Sequence, residues 1–111
     1  MSVSNIFVTN QRSAYKPVPG AASLNKAISS TTIVGSTDSA LALDEKTEVL
    51  LVQVNSNDVW LNLHGETPSA TTSLVLVSGT ILEMSRSQWL AAKWKRVSAD
   101  ATIVAQQLRA G

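Results

Sequence analysis

Few side chains in this sequence are suited to acid, base or metal chemistry. The chain has no cysteine and a single histidine, His64, and histidine is the residue type that most often moves protons at neutral pH. Glu66 stands two positions further on, so His64 and Glu66 could hold a metal ion or relay a proton. Zinc sites use three or four protein ligands, and this pair falls short of that number. We therefore interpret His64 as an ordinary loop residue and expect no metal site.

Motifs for nucleophilic catalysis and phosphate binding are also missing from the sequence. Serine and threonine are abundant, but no base with a supporting acid stands at a spacing known from hydrolases. The five glycines are dispersed, so they form no glycine-rich phosphate loop. We expect a protein that is not an enzyme, with no catalytic residues and no cofactor.

Residues 89–96 form the one patch that combines aromatic and basic side chains. Its candidate partner-binding residues, which could contact an acidic protein surface or nucleic acid, are Trp89, Lys93, Lys95 and Arg96. If this stretch is a strand, Trp94 faces inward while Lys93 and Lys95 face solvent. A plain solvated face therefore explains the pattern equally well. Of the two partners we favour protein.

Length and composition favour a small domain that packs into an assembly. The 111 residues suffice for one domain with one core. Charged residues make up 15% of the chain, against roughly 25% in typical soluble domains, and the net charge of +1 creates no field that attracts nucleic acid or an anionic membrane. No apolar run approaches the ~20 residues of a membrane span, and no signal-peptide pattern is present. We expect synthesis in the cytoplasm and neither membrane nor nucleic-acid partners.

From residue 40 onwards, short apolar runs alternate with polar turns. The predicted strands are residues 48–54, 59–63, 74–77, 80–84, 91–98 and 101–107, with a loop or turn at 85–88. Residues 85–94 are ambiguous, because Leu90, Trp94 and Val97 also fit one helical face; we favour the strand. The turn at residues 55–58 (Asn-Ser-Asn-Asp) contains residue types that tolerate a left-handed backbone. The strands on both sides of it are therefore predicted to pair as a β-hairpin, with Trp60 of the second strand filling the core.

Short strands at about ten-residue spacing predict an all-β fold. We expect a single antiparallel β-sandwich or small barrel, jelly-roll-like, over residues 40–111, with an extended N-terminal arm over residues 1–39. Two short β-prone segments of the arm are residues 6–8 (Ile6, Phe7 and Val8) and residues 31–34. They are too short to pack alone, so we expect them to add to a sheet of this subunit or of the next. The alternative is a disordered tail.

Three passages in order carry a resemblance to a known group of proteins. They are residues 52–63 (VQVNSNDVWLNL), 74–84 (LVLVSGTILEM) and 94–104 (WKRVSADATIV). Their order resembles that of small virion proteins of tailed bacteriophages. In those proteins a strand and an Asn-rich turn precede an aromatic strand. An apolar-Gly-apolar stretch follows, and a strand, a Ser-Ala turn and a strand come last. The resemblance covers residues 41–107. It implies a compact β-sandwich from a head, neck, tail or decorating subunit, without catalytic residues.

Our leading hypothesis is therefore a virion structural protein that decorates, cements or joins the capsid. The expected partners are the major capsid protein or neck and tail subunits, together with further copies of this chain, and the expected location is the virion. The expected contacts are sheet edges, Ile6, Phe7 and Val8 of the arm, and the patch at residues 89–96. The alternative is a carbohydrate-binding module of a tail or fibre for host attachment, since the three tryptophans could stack on sugars beside the polar loop at residues 64–73.

Overall fold

The computed structural model describes residues 15–110, which form two antiparallel β-sheets and one short helix. Strands account for 46% of these residues and helix for 9%, so the predicted all-β class is confirmed. The strands are β1 (Tyr15–Pro17), β2 (Leu24–Ile28), β3 (Ile33–Val34), β4 (Val49–Ser56), β5 (Val59–Asn62), β6 (Leu74–Leu76), β7 (Ile81–Ser85), β8 (Lys93–Arg96) and β9 (Ala101–Ala110). A 3-10 turn covers Ser39–Leu41, and helix α1 covers Arg86–Ala91.

The strand order interleaves early and late parts of the chain. In the five-stranded sheet, β9 lies between β4 and the consecutive strands β1 and β2, and β7 follows β4 at the far edge. The four-stranded sheet has the order β3-β8-β5-β6. The pairs β5 with β6, β4 with β7, β3 with β8 and β2 with β9 are all antiparallel. Most connections between consecutive strands therefore pass from one sheet to the other.

The predicted hairpin around residues 55–58 is wrong in its pairing, although both strands are present. β4 pairs with β7 on one side and β9 on the other, while β5 pairs with β6 and β8. Asn57 has the left-handed backbone expected of a turn, with a φ of 56°, and its side chain donates to the Asp100 carbonyl at 2.8 Å. The turn carries the chain from one sheet to the other because this path buries both flanking residues, Val54 and Val59.

One hydrophobic core receives side chains from both sheets. Alternation along each strand directs every second residue to this core. Its members in the five-stranded sheet include Leu50, Val52, Val54, Ile103 and Ala105, and those in the four-stranded sheet include Val59, Leu61 and Trp94. The ring of Trp94 meets that of Trp89 edge to face, with centroids 6.0 Å apart.

Helix α1 replaces the loop or turn that was predicted at residues 85–88, and β8 begins at Lys93 rather than at residue 91. A capping box starts the helix: the Ser85 hydroxyl accepts from the Gln88 amide at 3.2 Å, and the Gln88 side chain accepts from the Ser85 amide at 2.9 Å. The helix buries Trp89, whose Nε1 donates to the Leu41 carbonyl at 3.1 Å. The Ser-x-x-Gln spacing is the sequence signal that could have predicted this helix.

Three strands from residues 15–39 belong to the two sheets of the same chain. β1 and β2 run along β9, and Leu24 and Ile28 are buried. β3 pairs with β8, so residues 33 and 34 do add to a sheet of this subunit, as predicted for residues 31–34. Ile6, Phe7 and Val8 lie outside the described residues, and the domain boundary at residue 39 stays a prediction. None of the helices in residues 15–110 has the length and apolar character needed to cross a bilayer.

Candidate functional site

Exposed apolar side chains gather on strand β6 and its continuation. Leu74, Val75 and Val77 are 56%, 52% and 56% exposed, and they are the large hydrophobic residues that residues 15–110 leave exposed. β6 ends the four-stranded sheet and pairs there with β5 alone. Its other side therefore presents backbone N–H and C=O groups that can pair with another strand. A clustered apolar patch on such an edge is typical of a contact site.

Trp60 extends this patch across the outer face of the sheet. It lies directly opposite Val75 of β6 and Lys95 of β8, and residues opposite each other point to the same face. Because its neighbours Val59 and Leu61 are buried, Trp60 points outward and is only partly buried. The expectation that Trp60 fills the core is wrong. The alternation of Val59 and Leu61 about Trp60 was the signal that could have predicted its direction.

We name Trp60, Leu74, Val75, Val77 and Lys95 the β6 surface. They combine three aliphatic side chains, one indole and one cation. Trp60, Val75 and Lys95 point to the outer face of the sheet, whereas Leu74, opposite Leu61, points to the other face at the same edge. Burial of the aliphatic groups and the indole would supply affinity, and the cation favours a partner with an acidic group near the rim.

A tight turn at residues 77–80 fixes one end of the β6 surface. The Thr80 amide donates to the Val77 carbonyl at 3.0 Å. Gly79 has a φ of 95°, a left-handed conformation that glycine adopts without a Cβ clash. The Ser78 amide donates to the Asp58 carboxylate at 3.0 Å. This turn therefore holds Val77 in place beside the start of β5.

The loop at residues 63–73 fixes the other end through Asn62. The Asn62 side chain is buried, and its Nδ2 donates to the Thr72 carbonyl at 2.8 Å. Its Oδ1 accepts from the amides of His64 and Glu66 at 2.8 and 3.1 Å. One side chain thus joins both ends of the loop, and the loop delivers the chain into β6 at Leu74.

An open groove of about 350 Å³ adjoins the beginning of β6. Leu61, Leu63 and Leu74 supply its apolar walls, and His64 and Thr71 belong to its polar rim. A space of this size and lining suits one apolar side chain of a bound segment.

The basic and aromatic patch predicted at residues 89–96 is divided by the sheet. Trp89 and Trp94 are fully buried, so Trp89 is unavailable to a partner in this structure. Lys93 and Lys95 alternate with Trp94 and are only partly buried on the outer face. Lys95 belongs to the β6 surface. A partner contact by Lys93 stays a prediction.

Arg96 is engaged within the chain. Its guanidinium lies 2.6 Å from the Asp100 carboxylate across the turn between β8 and β9, and its backbone amide donates to the Ser29 carbonyl at 2.9 Å. The Arg96 side chain is 36% exposed. Partner binding by Arg96, like that by Lys93, stays a prediction.

The pair His64 and Glu66 is not assembled into a metal site. The Glu66 carboxylate accepts from Asn62 at 3.3 Å, and His64 is exposed. In the part of the chain that the structure describes, no three His, Cys, Asp or Glu residues stand close enough to hold a metal ion together.

No protein-family model matches the sequence, and no curated protein or solved structure is significantly similar to it. The β6 surface is therefore the candidate functional site.

Proposed function

We propose that the two sheets pack face to face as a jelly-roll β-sandwich. Support comes from the nested pairs, in which β5–β6 is the tip of one long antiparallel ribbon and β2–β9 is its base. Folding such a ribbon over itself gives the two interleaved sheet orders of a jelly roll. The shared core cluster of Val52, Ile103, Leu61 and Trp94 also supports packing of one sheet on the other.

On this fold we propose a non-enzymatic structural subunit of a tailed bacteriophage particle that decorates, cements or joins the capsid. Its partners are neighbouring virion proteins and further copies of itself, and its location is the virion. Jelly rolls recur in viral capsid proteins, which supports the proposal by analogy of fold. The low charged fraction of 15% suits a surface that is mostly covered by neighbours.

The exposed apolar edge at β6 is the observation that carries this proposal. Leu74, Val75 and Val77 are each just over half exposed. Complete burial of a Leu or Val side chain stabilises by ~1.5–3 kcal/mol, so covering these three gains about 2.5–5 kcal/mol. Binding must also offset the entropy lost on association. Several such contacts in an array offset this cost better than the single contact of an isolated pair, so the array holds the subunit more tightly.

The structure favours a protein partner over a carbohydrate. Trp89 and Trp94 are enclosed in the core, which leaves Trp60 as the tryptophan with exposed surface. Trp60 lies between Val75 and Lys95 on a sheet face rather than in a cleft. Sugar-binding sites stack the ligand on an accessible aromatic ring with polar groups around it, and the surroundings of Trp60 are apolar on one side.

The test is the presence of the chain in purified virions. Particles of a phage that encodes this chain are banded in a density gradient and analysed by mass spectrometry, and a deletion phage is complemented with variants. We expect the native chain and the control Ala99→Lys, at an exposed turn position, to band with the particles. Val75→Lys should be depleted because it places an ammonium group on the apolar edge. Absence of the native chain from banded virions would contradict the proposal, and binding to a glycan panel would favour the alternative.

A further inference from the structure

Strand β6 is the least protected edge in the two sheets. Natural edge strands are commonly shielded by charged residues or by extreme shortness. The other edge strands follow this rule: Lys16 lies in β1, Lys26 in β2 and Glu83 in β7, and β3 has only two residues. Residues 73–78 (SLVLVS), which contain β6, have no charge. With three residues and no charge, this edge can therefore accept a further strand.

The chain itself contains a segment that matches this edge. The fourteen residues before Tyr15 include Ile6, Phe7 and Val8, and the first charged residue is Arg12. Two uncharged strands can pair without removing a charge from water. Ile, Phe and Val are also among the residues that favour strands.

We propose that residues 6–8 of one copy add as a strand to the open edge of β6 in a neighbouring copy. The inference rests on the proposed function, because it names how copies contact each other in the particle. Main-chain hydrogen bonds to β6 would supply affinity, and one apolar side chain of the segment would enter the groove between Leu61, Leu63 and Leu74. This is strand addition with side-chain pockets at alternate positions.

The chain length before Tyr15 favours a neighbouring copy over the same copy. Tyr15 pairs with Ala110 at the far end of β9, on the edge of its sheet opposite to β7. β6 leads through a tight turn into β7, so β6 and Tyr15 lie at opposite edges. In the proposed sandwich, three strand spacings, one sheet spacing and about six residues along the strand axis separate them, which together give ~26 Å in a straight line.

The linking residues are too few to cover that distance. From Val8 to Tyr15 there are 15 − 8 = 7 residue steps, which span at most ~24 Å when fully extended. The straight line also passes through the core, so the route around the surface is longer. Because the linking chain is too short to bring residues 6–8 to β6 of the same copy, the strand that adds to β6 comes from an adjacent copy.

The absence of cysteine from the chain allows a direct test by cross-linking. Full-length Phe7→Cys and Val75→Cys variants are mixed in concentrated solution and treated with a short bismaleimide. We expect a covalent dimer of twice 11.8 kDa whose yield is several-fold above that of Phe7→Cys mixed with the control Ala99→Cys. A chain that carries both Phe7→Cys and Val75→Cys should form covalent oligomers.

Three outcomes would overturn the inference. The first is a cross-linking yield no greater than that of the control. The second is a cross-linked monomer from the double variant, which would place the segment on its own β6. The third is a dimer of Val75→Cys with itself, which would indicate pairing between two β6 edges. Particle incorporation is measured separately with the native chain. If the chain is found in virions but the cross-link does not form, this inference is contradicted and the proposed function stands. If the cross-link forms but the chain is not found in virions, the proposed function is contradicted.

Discussion

Deletion of residues 2–38 removes three strands that the structure places in the two sheets. β1 and β2 cover one side of β9, and β3 covers one side of β8. Val18, Leu24 and Ile28 are lost from the buried set, with exposed fractions of 3%, 9% and 0%. The deletion also exposes the parts of β9 and β8 that these strands cover.

The expected loss of stability is comparable with the whole stability of the domain. Burial of each of these three side chains contributes ~1.5–3 kcal/mol, or about 4.5–9 kcal/mol together. A domain of this size has a total free energy of unfolding of about 5–15 kcal/mol. Deleting residues 2–38 should therefore leave a chain without a cooperative native state.

Urea titration followed by tryptophan fluorescence and circular dichroism measures this effect. Trp89 and Trp94 are fully buried, so their emission should shift to the red in the shortened chain before any urea is added. The matched control deletes residues 2–13 and retains every buried side chain of residues 15–110, so it should unfold cooperatively like the full chain. A cooperative transition at the same midpoint after deletion of residues 2–38 would refute the reasoning and support a separable arm ending at residue 39.

Three substitutions test separate contacts. Gly35→Ala places a Cβ against the main-chain carbonyl of Trp89. Because neither the Cβ nor the carbonyl can rotate away, we expect the free energy of unfolding to fall by about 1–3 kcal/mol in urea titration. Trp89→Phe removes the hydrogen bond from Nε1 to the Leu41 carbonyl and leaves that carbonyl unpaired, so the same titration should show a fall of about 1–3 kcal/mol. Lys26→Met removes the ammonium group that lies 3.0 Å from Asp38 and, through its hydrogen bond, holds the pKa of that carboxyl below the ordinary 3.8. The pKa of Asp38, followed by carboxyl NMR, should then rise towards 3.8.

The sign of the Asp38 effect follows from linkage. A carboxyl whose pKa is lower in the folded state stabilises the fold above its unfolded pKa, and this contribution is lost as pH falls through the folded pKa. The native chain should therefore lose stability below pH 3.8 more steeply than Lys26→Met does. Equal acid dependence of the two chains would contradict the ion pair. Unchanged urea midpoints for Gly35→Ala or Trp89→Phe would contradict the respective backbone contact or hydrogen bond.

The sequence predicted the positions of the central strands because strand formation depends on the pattern of residues that are close together in the chain. Alternating apolar residues and turn residues bracket β4, β5, β7 and β9 closely to where the structure has them. A helical face was the less favoured alternative at α1, although the capping box at Ser85 and Gln88 is also local. The alternation of apolar and basic residues at positions 90–95 favoured a strand instead.

Strand pairing was beyond the sequence pattern. The turn residues 55–58 predict a change of direction, and both a hairpin and a crossing between sheets satisfy that requirement. Whether β4 pairs with β5 depends on β7 and β9, which arrive 25 residues or more later in the chain and occupy both sides of β4. Local propensity contains no information about that competition.

At the candidate site, too, part of the arrangement follows from the sequence and part only from the tertiary structure. The sequence establishes an apolar run at residues 74–77, and it establishes the alternation that turns Trp60 away from Val59 and Leu61. Only the tertiary structure makes β6 the last strand of its sheet and so leaves Leu74, Val75 and Val77 exposed. Burial is a property of the elements packed around a residue, and those elements are brought together by contacts between distant parts of the chain.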